Sequence, residues 1–308
     1  MQKSTGVFLK LFRSVRSHPG AYLMLAIPVA YIIIFAYVPM YGVQLAFREV
    51  NPIGGLTKGE FIGFENFRLF FTSYMFERLV KNTLILSTYQ LIAGFPFPIL
   101  LAICLNEIRI LPLKKVVQTI TYAPYFISII VLVSIVQQVF SPHTGIINNI
   151  IVMMGGEAQN FMGKPEYFRS FYVWSGVWQN MGYNAVIYIA ALTGIDPTLH
   201  EAAMVDGASR FKRILHIDLP SILPTIIVLL ILNCGRIMSV GFEKAYLMQN
   251  DMNITISEII STYVYKIGLI NSDYGFATAV GLFNSVINFA LILTVNGIAR
   301  RFGETSLW

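Results

Sequence analysis

The stretch EAAMVDGASRFKRILHIDLP, from Glu201 to Pro220, separates two strongly apolar segments of a 308-residue chain. The chain as a whole is 56% hydrophobic and 12% charged, with a mean hydropathy of +0.64. Soluble domains carry about 25% charged residues, so the composition excludes an ordinary soluble domain and predicts a membrane protein. The quoted stretch is unusual within this chain because it concentrates charged residues and turn formers.

Six apolar runs are each long enough to cross a bilayer, which takes about 20 helical residues. Backbone groups inside lipid must be hydrogen-bonded within the protein, and these runs lack the strict alternation of barrel strands. The sequence therefore predicts an all-α polytopic membrane protein with six transmembrane helices. The first run is longer than the roughly 7 to 15 apolar residues of a signal peptide, which favours an uncleaved span. The predicted spans are residues 21–47, 79–105, 116–140, 171–194, 222–246 and 273–299.

The basic residues predict the orientation of these spans. With the N-terminus inside, the cytoplasmic segments hold just over half of the 22 Lys and Arg residues and carry the whole formal charge of +6. Positive residues collect in short cytoplasmic segments near span ends, so the sequence predicts an N-in, C-in topology. This topology explains the positive charge without nucleic acid, for which no basic and aromatic module is present. The cytoplasmic segments are then 1–20, 106–115, 195–221 and 300–308.

The local pattern of the quoted stretch predicts two short amphipathic helices joined at a glycine. Asp196 and Pro197 are typical of a helix start, and Gly207 can adopt the left-handed conformation that closes a helix. A second helix follows from Ser209 and is expected to end at Leu219-Pro220, where the next span begins. Such a unit can dock on another protein or lie at the lipid surface.

Proline predicts an interruption in the second span. The second run contains GFPFP, Gly94 to Pro98, and the third contains Pro124. Proline removes a backbone donor and breaks or kinks a helix, which membrane proteins tolerate where the backbone packs on protein or lines a cavity. Cys104 and Cys234 lie in different runs without metal-ligand spacing, so we interpret both as packing residues.

The outer loop 48–78 begins with the turn signals Asn51-Pro52 and Gly54-Gly55. It continues with FENFRLFF at residues 64–71, a mixture of aromatic and charged residues. This mixture predicts either an interfacial helix on the outer side of the membrane or a helix that covers the end of the bundle. The pattern alone leaves both interpretations open.

Polar residues within the spans are candidates for a substrate pathway, because such side chains usually face the protein interior or a water-filled cavity. Several share one side of the fourth span at helical spacing, and the fifth and sixth spans add more. Hydrogen bonds between helices would explain the same residues equally well. The candidates are Trp178, Gln179, Asn180, Tyr183, Asn184, Arg236, Glu243, Lys244, Asn284 and Asn288.

The fifth predicted span carries the most charge. If it is one helix, Arg236 lies 16 residues past Pro220, about 24 Å along the axis and deep in the membrane. A charge at that depth is expensive unless it is paired or hydrated, so Arg236 is either part of a functional site or paired with a carboxylate on a neighbouring helix. Glu243 and Lys244 are expected near the outer end, where both side chains can reach water.

The spacing within the quoted stretch resembles the EAA motif of permease subunits from binding-protein-dependent ABC importers. Glu201-Ala202-Ala203 is followed by Gly207 after three residues, by Ile217 after nine more and by Leu219-Pro220 after one more. The segment HPGAYLM at 18–24, GFENF at 63–67 and GFEKAYLM at 241–248 resemble the oligosaccharide and polysaccharide branch of that family.

The resemblance implies a type I importer permease of the bacterial cell membrane. Residues 1–78 would form the cytoplasmic N-terminus, first span and outer loop, and residues 79–299 the core of five spans, followed by a cytoplasmic tail at 300–308. The loop 195–221 would seat on a cytoplasmic ATPase, with sugar translocation as the implied function. The implied coupling residues are Glu201, Ala202, Ala203, Asp206, Gly207, Ile217, Leu219 and Pro220.

The resemblance also implies the partners of the chain. They are two ATP-binding subunits, a second and related permease that makes a heterodimer, an extracytoplasmic substrate-binding protein and membrane lipid. The chain contains no G-x-x-x-x-G-K-[ST] phosphate loop, so ATP and Mg would be bound by the partner ATPases. We expect no catalytic residue, metal site or cofactor in this chain.

Other classes of membrane protein make different demands on the sequence. An ion-coupled secondary transporter would need an ion site in a broken helix and usually an inverted repeat; GFPFP offers a break, but no repeat is visible. A channel is compatible with the spans alone. A membrane enzyme is disfavoured because His18, His143, His200 and His216 show no ligand spacing.

Overall fold

The computed structural model describes residues 14, 16–50 and 59–302. The predicted turn signals at Asn51-Pro52 and Gly54-Gly55 and the tail from 303 onwards lie outside the described residues. Within them the chain is helical, and the one extended pairing is an isolated bridge between Arg48 and Phe61. The helices are α1 (Pro19–Ile32), α2 (Val38–Met40), α3 (Glu65–Thr72), α4 (Met75–Gly94), α5 (Pro96–Glu107), α6 (Leu111–Tyr122), α7 (Ile129–Val139), α8 (Ile146–Met153), α9 (Pro165–Thr193), α10 (Pro197–Val205), α11 (Arg210–Arg213), α12 (Leu219–Cys234), α13 (Phe242–Met248), α14 (Ile254–Ser257), α15 (Ile260–Tyr265) and α16 (Tyr274–Phe302).

Four helical segments of the described chain are long and apolar enough to cross a membrane. They are Pro19–Phe47, Met75–Glu107, Arg210–Cys234 and Tyr274–Arg301, and a bent pair makes a fifth if it is counted as one span. Helix α9 occupies the position of the fourth predicted span and is 29 residues long, but its polar side chains make it less apolar than these segments. The all-helical class is confirmed, whereas six crossings and their orientation stay predictions.

The first span stands apart from the rest of the molecule. It runs from α1 through a π-helical turn (Ile33–Tyr37) and α2 to a 3₁₀ turn (Tyr41–Phe47). The first buried residue along it is Ala46, and the 3₁₀ turn packs on α16. Nearly the whole apolar surface of this span is therefore free to contact lipid or another chain.

The prolines of GFPFP interrupt the second span at a single residue. Helix α4 ends at Gly94 and α5 begins at Pro96. In the first turn of a helix the backbone N–H has no partner within that helix, so a proline costs little there. The predicted break is confirmed as a brief interruption within one long segment, Met75–Glu107.

The third predicted span is not one helix. Helix α6 ends at Tyr122, a 3₁₀ turn covers Ala123–Phe126, and α7 leaves at 101° to the segment before it. The Ser128 side chain caps α7 by accepting a hydrogen bond from the N–H of Val131 at 3.3 Å. Pro124 lacks a donor and so cannot continue the α-helical ladder. The predicted span over 116–140 is therefore a bent pair of helices and not one straight helix.

The fifth predicted span is wrong at both ends. On the cytoplasmic side, α11 continues through a π-helical turn (Ile214–Asp218) into α12, so Leu219-Pro220 does not end the preceding helix. The wider turn ends at Asp218, two residues before Pro220, which lacks a backbone donor. On the other side α12 ends at Cys234, and an irregular segment of residues 235–241 leads to α13. Arg236 therefore lies in a turn beyond the helix end.

Helix α3 covers one end of the bundle. Phe70 is fully buried, and its ring centroid lies 5.1 Å from that of Phe76, 5.4 Å from that of Phe283 and 6.2 Å from that of Phe276. These contacts favour the second interpretation of FENFRLFF. The exposed Phe64 and Phe71 remain available for contact with lipid.

Helix α9 is the centre of the bundle. One end packs with α4, α7 and α13 around Val173 and Val177, and the other packs with α5 and α12 around Ala185 and Tyr188. Beside this core α6 crosses α9 at Gly182, where an added Cβ would lie 2.0 Å from the carbonyl oxygen of Thr121. The close approach of the two helices therefore requires glycine at this position.

We expect Gly182→Ala to destabilise the protein, because the methyl group forces α6 away from α9. Alanine is a better helix former than glycine by about 1 kcal/mol, so the loss has to exceed that gain. Gly297→Ala is the matched control, since no atom lies within 4 Å of its added Cβ in α16. Thermal unfolding in detergent should give a Tm lower by several degrees for Gly182→Ala only. Equal Tm values for the two variants would contradict the close packing.

Candidate translocation pathway and coupling loop

The loop between α9 and α12 begins with a capped helix. The Oδ1 atom of Asp196 accepts a hydrogen bond from the N–H of Thr198 at 2.9 Å, and Pro197 occupies the first helical position. This hydrogen bond lowers the pKa of the exposed Asp196 carboxyl below its ordinary value. The capping geometry expected at Asp196 and Pro197 is thus present in α10.

Gly207 closes α10 in the left-handed conformation, with φ of +74°. Its N–H donates to the carbonyl of Met204 at 3.1 Å, and the N–H of Ala208 donates to that of Ala203 at 2.9 Å. Ser209 then caps α11 by accepting from the N–H of Lys212. A residue with a Cβ is strained at this backbone angle, so glycine sets the bend between the two helices.

The loop presents its motif residues to the surface. Glu201, Ala202, Asp206, Gly207 and Pro220 are exposed, while Ala203, Ile217 and Leu219 are half-buried. The loop also exposes large apolar side chains from both predicted amphipathic helices, chiefly Val205 at 89% and Phe211 at 69%, with Leu199, Met204 and Leu215. Exposed apolar residues beside the motif are typical of a protein docking surface.

A first cavity of about 430 Å³ lies between α4, α5, α9 and α12. Three of the sequence-predicted pathway residues line it: Asn180, Asn184 and Arg236. Gln90, Asn233 and Ser239 add polar groups that the sequence reasoning missed. Gln90 lies four residues before GFPFP, and a polar side chain next to a predicted break was the signal that could have found it.

A second cavity of about 510 Å³ adjoins the first. Gln90, Gly176, Asn180 and Gly241 line both, so the two cavities share a wall. The second is also lined by Gln179, Glu243 and Lys244, together with Tyr125 from the bend between α6 and α7. The predicted pathway residues of α9 and of the segment after α12 are in this way brought together.

Each of the three helix interruptions borders these cavities. Gly94, Phe95 and Pro98 line the first, and Tyr125, Ile127 and Ser128 line the second; Gly241, which ends the irregular segment after α12, lines both. The Nε2 atom of Gln179 donates to the carbonyl of Ile127 at 2.8 Å, so this candidate also supplies a partner for backbone freed by the bend. The cavities consequently lie where helical hydrogen bonding is interrupted.

Lys244 is buried, with 7% of its surface exposed, rather than extended to water as the sequence suggests. Its Nζ donates to the carbonyl oxygen of Tyr172 at 2.6 Å and lies 4.8 Å from the centroid of the Tyr172 ring. The ring face attracts the cation. No ion pair among the described residues includes Lys244, so its charge is balanced by a carbonyl dipole and a ring.

Arg236 is exposed in the turn that follows α12 and faces the first cavity. In the described part of the chain it belongs to no ion pair, so a structural carboxylate partner is not found there. Glu243 is exposed at the second cavity and is the one carboxylate among the described residues that lines either cavity. The ionisable side chains of Arg236, Lys244 and Glu243 at the two cavities are therefore two bases and one acid.

The remaining candidates lie outside both cavities. Trp178 is half-exposed, and Tyr183 stacks on Tyr125 with the ring centroids 3.8 Å apart. The Asn288 side chain joins α16 to the segment after α12, because it accepts from the N–H of Met238 at 2.9 Å and donates to Ser239 Oγ at 2.8 Å. Asn284 lies on the same helix, with its Oδ1 buried. The position of Asn288 is that of a helix-packing residue.

Comparison with known proteins agrees with this architecture. Residues 94–304 match the family of binding-protein-dependent transport system inner membrane components. Protein LplB and the polygalacturonan/rhamnogalacturonan transport system permease protein YteP, both of Bacillus subtilis (strain 168), are each 42% identical over 287 residues. The match covers 93% of this chain in both cases, with 90% of LplB and 89% of YteP.

A solved structure shares the fold over nearly the whole chain. It is a chain of a bacterial alginate ABC transporter in complex with an alginate pentasaccharide-bound periplasmic protein, 39% identical, with a TM-score of 0.88 over 97% of this chain and 100% of that one. A second structure of a bacterial transporter for the acidic polysaccharide alginate matches equally well, at 40% identity. The chain therefore belongs to the family of binding-protein-dependent transport system inner membrane components, as a multi-pass type I permease subunit of the oligosaccharide branch.

Proposed function

We propose that this chain is the membrane subunit of an ATP-driven importer that moves an acidic oligosaccharide across the bacterial cell membrane. The observation that carries the substrate class is the placement of Arg236 and Lys244 on two adjoining cavities without a carboxylate paired to either among the described residues. A sugar carboxylate would form charge-assisted hydrogen bonds with such groups, and these are roughly twice as strong as neutral ones.

The rest of the cavity lining suits a sugar. Gln90, Asn180 and Asn184 offer amide donors and acceptors for hydroxyl groups. Tyr125 offers an aromatic ring at the second cavity. Similarity to a polygalacturonan and rhamnogalacturonan permease and to importers of alginate, an acidic polysaccharide, supports the same class of substrate.

The energy for transport comes from two separate ATPase subunits, which bind ATP and Mg. Glu201 and Asp206 pair with basic groups on an ATPase, Ala202 and Ala203 permit close seating, and Gly207 sets the bend; Ile217, Leu219 and Pro220 join the loop to α12. Closure of the ATPases then rocks the permease between inward-open and outward-open states. The exposure of the loop and its apolar side chains supports this assignment.

A second, related permease completes the pathway as a heterodimer with this chain, and an extracytoplasmic substrate-binding protein delivers the sugar. The six spans cross the membrane with both termini in the cytoplasm. The exposed first span supports a partner chain, because an apolar helix free of its own bundle contacts either lipid or a second permease.

The proposed function is tested with the complex of both permeases, the ATPases and the binding protein in liposomes. Uptake of uronic-acid oligosaccharides should require ATP and the binding protein. It should survive agents that collapse proton and sodium gradients. Uptake driven by a gradient without ATP would instead indicate a secondary transporter, and downhill flux without either would indicate a channel.

We expect Gly207→Val to impair coupling, because a β-branched residue at φ of +74° costs roughly 1–3 kcal/mol in backbone strain. The loop should then adopt a different bend, so co-purification of the ATPase and sugar uptake should both fall while membrane insertion persists. Gly155→Val is the matched control, since Gly155 also has a positive φ, of +84°, but lies outside the loop. Unchanged ATPase binding and uptake in Gly207→Val would refute the coupling role.

We expect Arg236→Ala to discriminate between substrates. A hydrogen bond to a charged group contributes about 1.5–3 kcal/mol, so uptake of uronic-acid oligosaccharides at limiting concentration should fall roughly ten- to a hundredfold. Uptake of neutral oligosaccharides of the same length is the internal control and should change little. An equal loss for both substrates would assign Arg236 to the fold instead of to charge recognition.

Lys244→Met should show the same preference for neutral substrates, because methionine fills a similar volume without the charge. The carbonyl of Tyr172 loses its donor in this variant, so thermal stability is measured alongside uptake. A lower Tm with unchanged discrimination between acidic and neutral sugars would show that Lys244 serves packing only.

A further inference from the structure

Helix α10 is weakly attached to the rest of the permease. None of its residues is buried, and His200 and Ala203 are its two half-buried residues. It joins its neighbours through the short connections 194–196 and 206–209, the second of which contains the bend at Gly207. A helix held so loosely could move on its own without displacing the spans.

One side chain of α10 forms a polar contact with another helical segment of the described chain. The Nε2 atom of His200 lies 3.2 Å from Oδ1 of Asp218, an ion-pair distance when the ring is protonated. Asp218 is 1% exposed and ends the π-helical turn that leads into α12. The contact therefore links the middle of α10 to the start of a predicted span.

The Asp218 carboxyl is the centre of a buried charged cluster. Arg213, 9% exposed, and the half-buried Glu107 at the end of α5 both act on it electrostatically, with opposite signs. A buried carboxylate needs compensating positive charge, and Glu107 increases that need. Arg213 supplies positive charge, and His200 adds to it when its ring is protonated, which gives the cluster a reason to hold His200 in place.

We propose that the contact between His200 and Asp218 is the joint through which motion of α10 reaches α12. His200 is a positioning residue in this inference, which rests on the proposed function because it assumes that α10 seats on the ATPase. When the ATPases move α10, the contact between His200 and Asp218 carries α12 along, and the bend at Gly207 alone does not. Without this contact, ATP hydrolysis continues but less of it produces transport.

The test measures sugar uptake and ATP hydrolysis in the same liposomes. His200→Ala should leave ATPase co-purification intact and lower the sugar imported per ATP hydrolysed roughly tenfold, within the range of known coupling free energies. His200→Lys should restore much of that ratio, because it returns a cation to Asp218. If His200 were needed only for folding, His200→Lys would not restore the ratio of sugar imported to ATP hydrolysed.

His216→Ala is the matched control. His216 lies in the same loop, but its ring contacts the carbonyl of Lys212 in its own helical segment, so the ratio should not change. Asp218→Asn removes the charge of the carboxylate at nearly constant volume and should lower the ratio of sugar imported to ATP hydrolysed as His200→Ala does. It replaces His200→Ala in the test if the His200→Ala complex assembles poorly.

Three results would overturn the inference: an unchanged ratio in His200→Ala and Asp218→Asn, failure of His200→Lys to restore it, or loss of the ATPase from both variants. Failure of the proposed function is recognised separately, because the unmodified complex would then import sugar without ATP or not at all.

Discussion

Backbone hydrogen bonding inside the membrane is the constraint on which this structure depends. Lipid offers no partner for a free N–H or C=O group, so a helix can be interrupted there only where protein or enclosed water satisfies the backbone. Three interruptions, at Phe95, between Tyr122 and Ile129, and after Cys234, all border the two adjoining cavities. Their convergence concentrates the polar groups that a sugar pathway requires into the interior of the bundle.

Helix α9 makes this convergence possible because it contacts all three interruptions. Its Gln179 side chain hydrogen-bonds the carbonyl of Ile127 at the second break, and Gly182 lets α6 approach closely. Tyr172 binds Lys244 beyond the third break through its carbonyl and ring. Two polar side chains of α9 thus hydrogen-bond backbone at these interruptions, Gln179 that of Ile127 and Tyr172 that of Gly241.

The sequence predicted the interruption at GFPFP and missed the two that follow Tyr122 and Cys234. Proline located the break at Gly94 to Pro98. Pro124 lies at the bend of the third span, but the apolar run continues across it, so the two helices were predicted as one span. Between Cys234 and Phe242 the chain contains Gly235, Arg236 and Gly241 but no proline, and the predicted span ran across all three. The burial of Lys244 depends on Tyr172, 72 residues away, and no local pattern encodes that contact.

The loop between α9 and α12 was the most predictable part of the molecule because local rules determine it. Asp196 and Pro197 start a helix, and Gly207 permits a backbone angle that other residues resist. These rules could not predict how α10 is held against the rest of the protein. The contact between His200 and Asp218 joins residues on opposite sides of the Gly207 bend. A helix pattern indicates where α10 begins and ends but not which distant carboxylate holds it.

Transport places opposite demands on the cations of the proposed pathway. A site that recognises a carboxylate must bind it strongly enough to select it, yet weakly enough to release it in each cycle. Lys244 is already engaged by the Tyr172 carbonyl and ring, so an incoming carboxylate competes with existing contacts and gains less than it would from a free ammonium group. Arg236 is exposed on an irregular segment next to the helix break, where motion of α12 would shift it. In the proposed pathway, Lys244 is held by the fold and serves selectivity. Arg236 lies on a segment that can move and serves release.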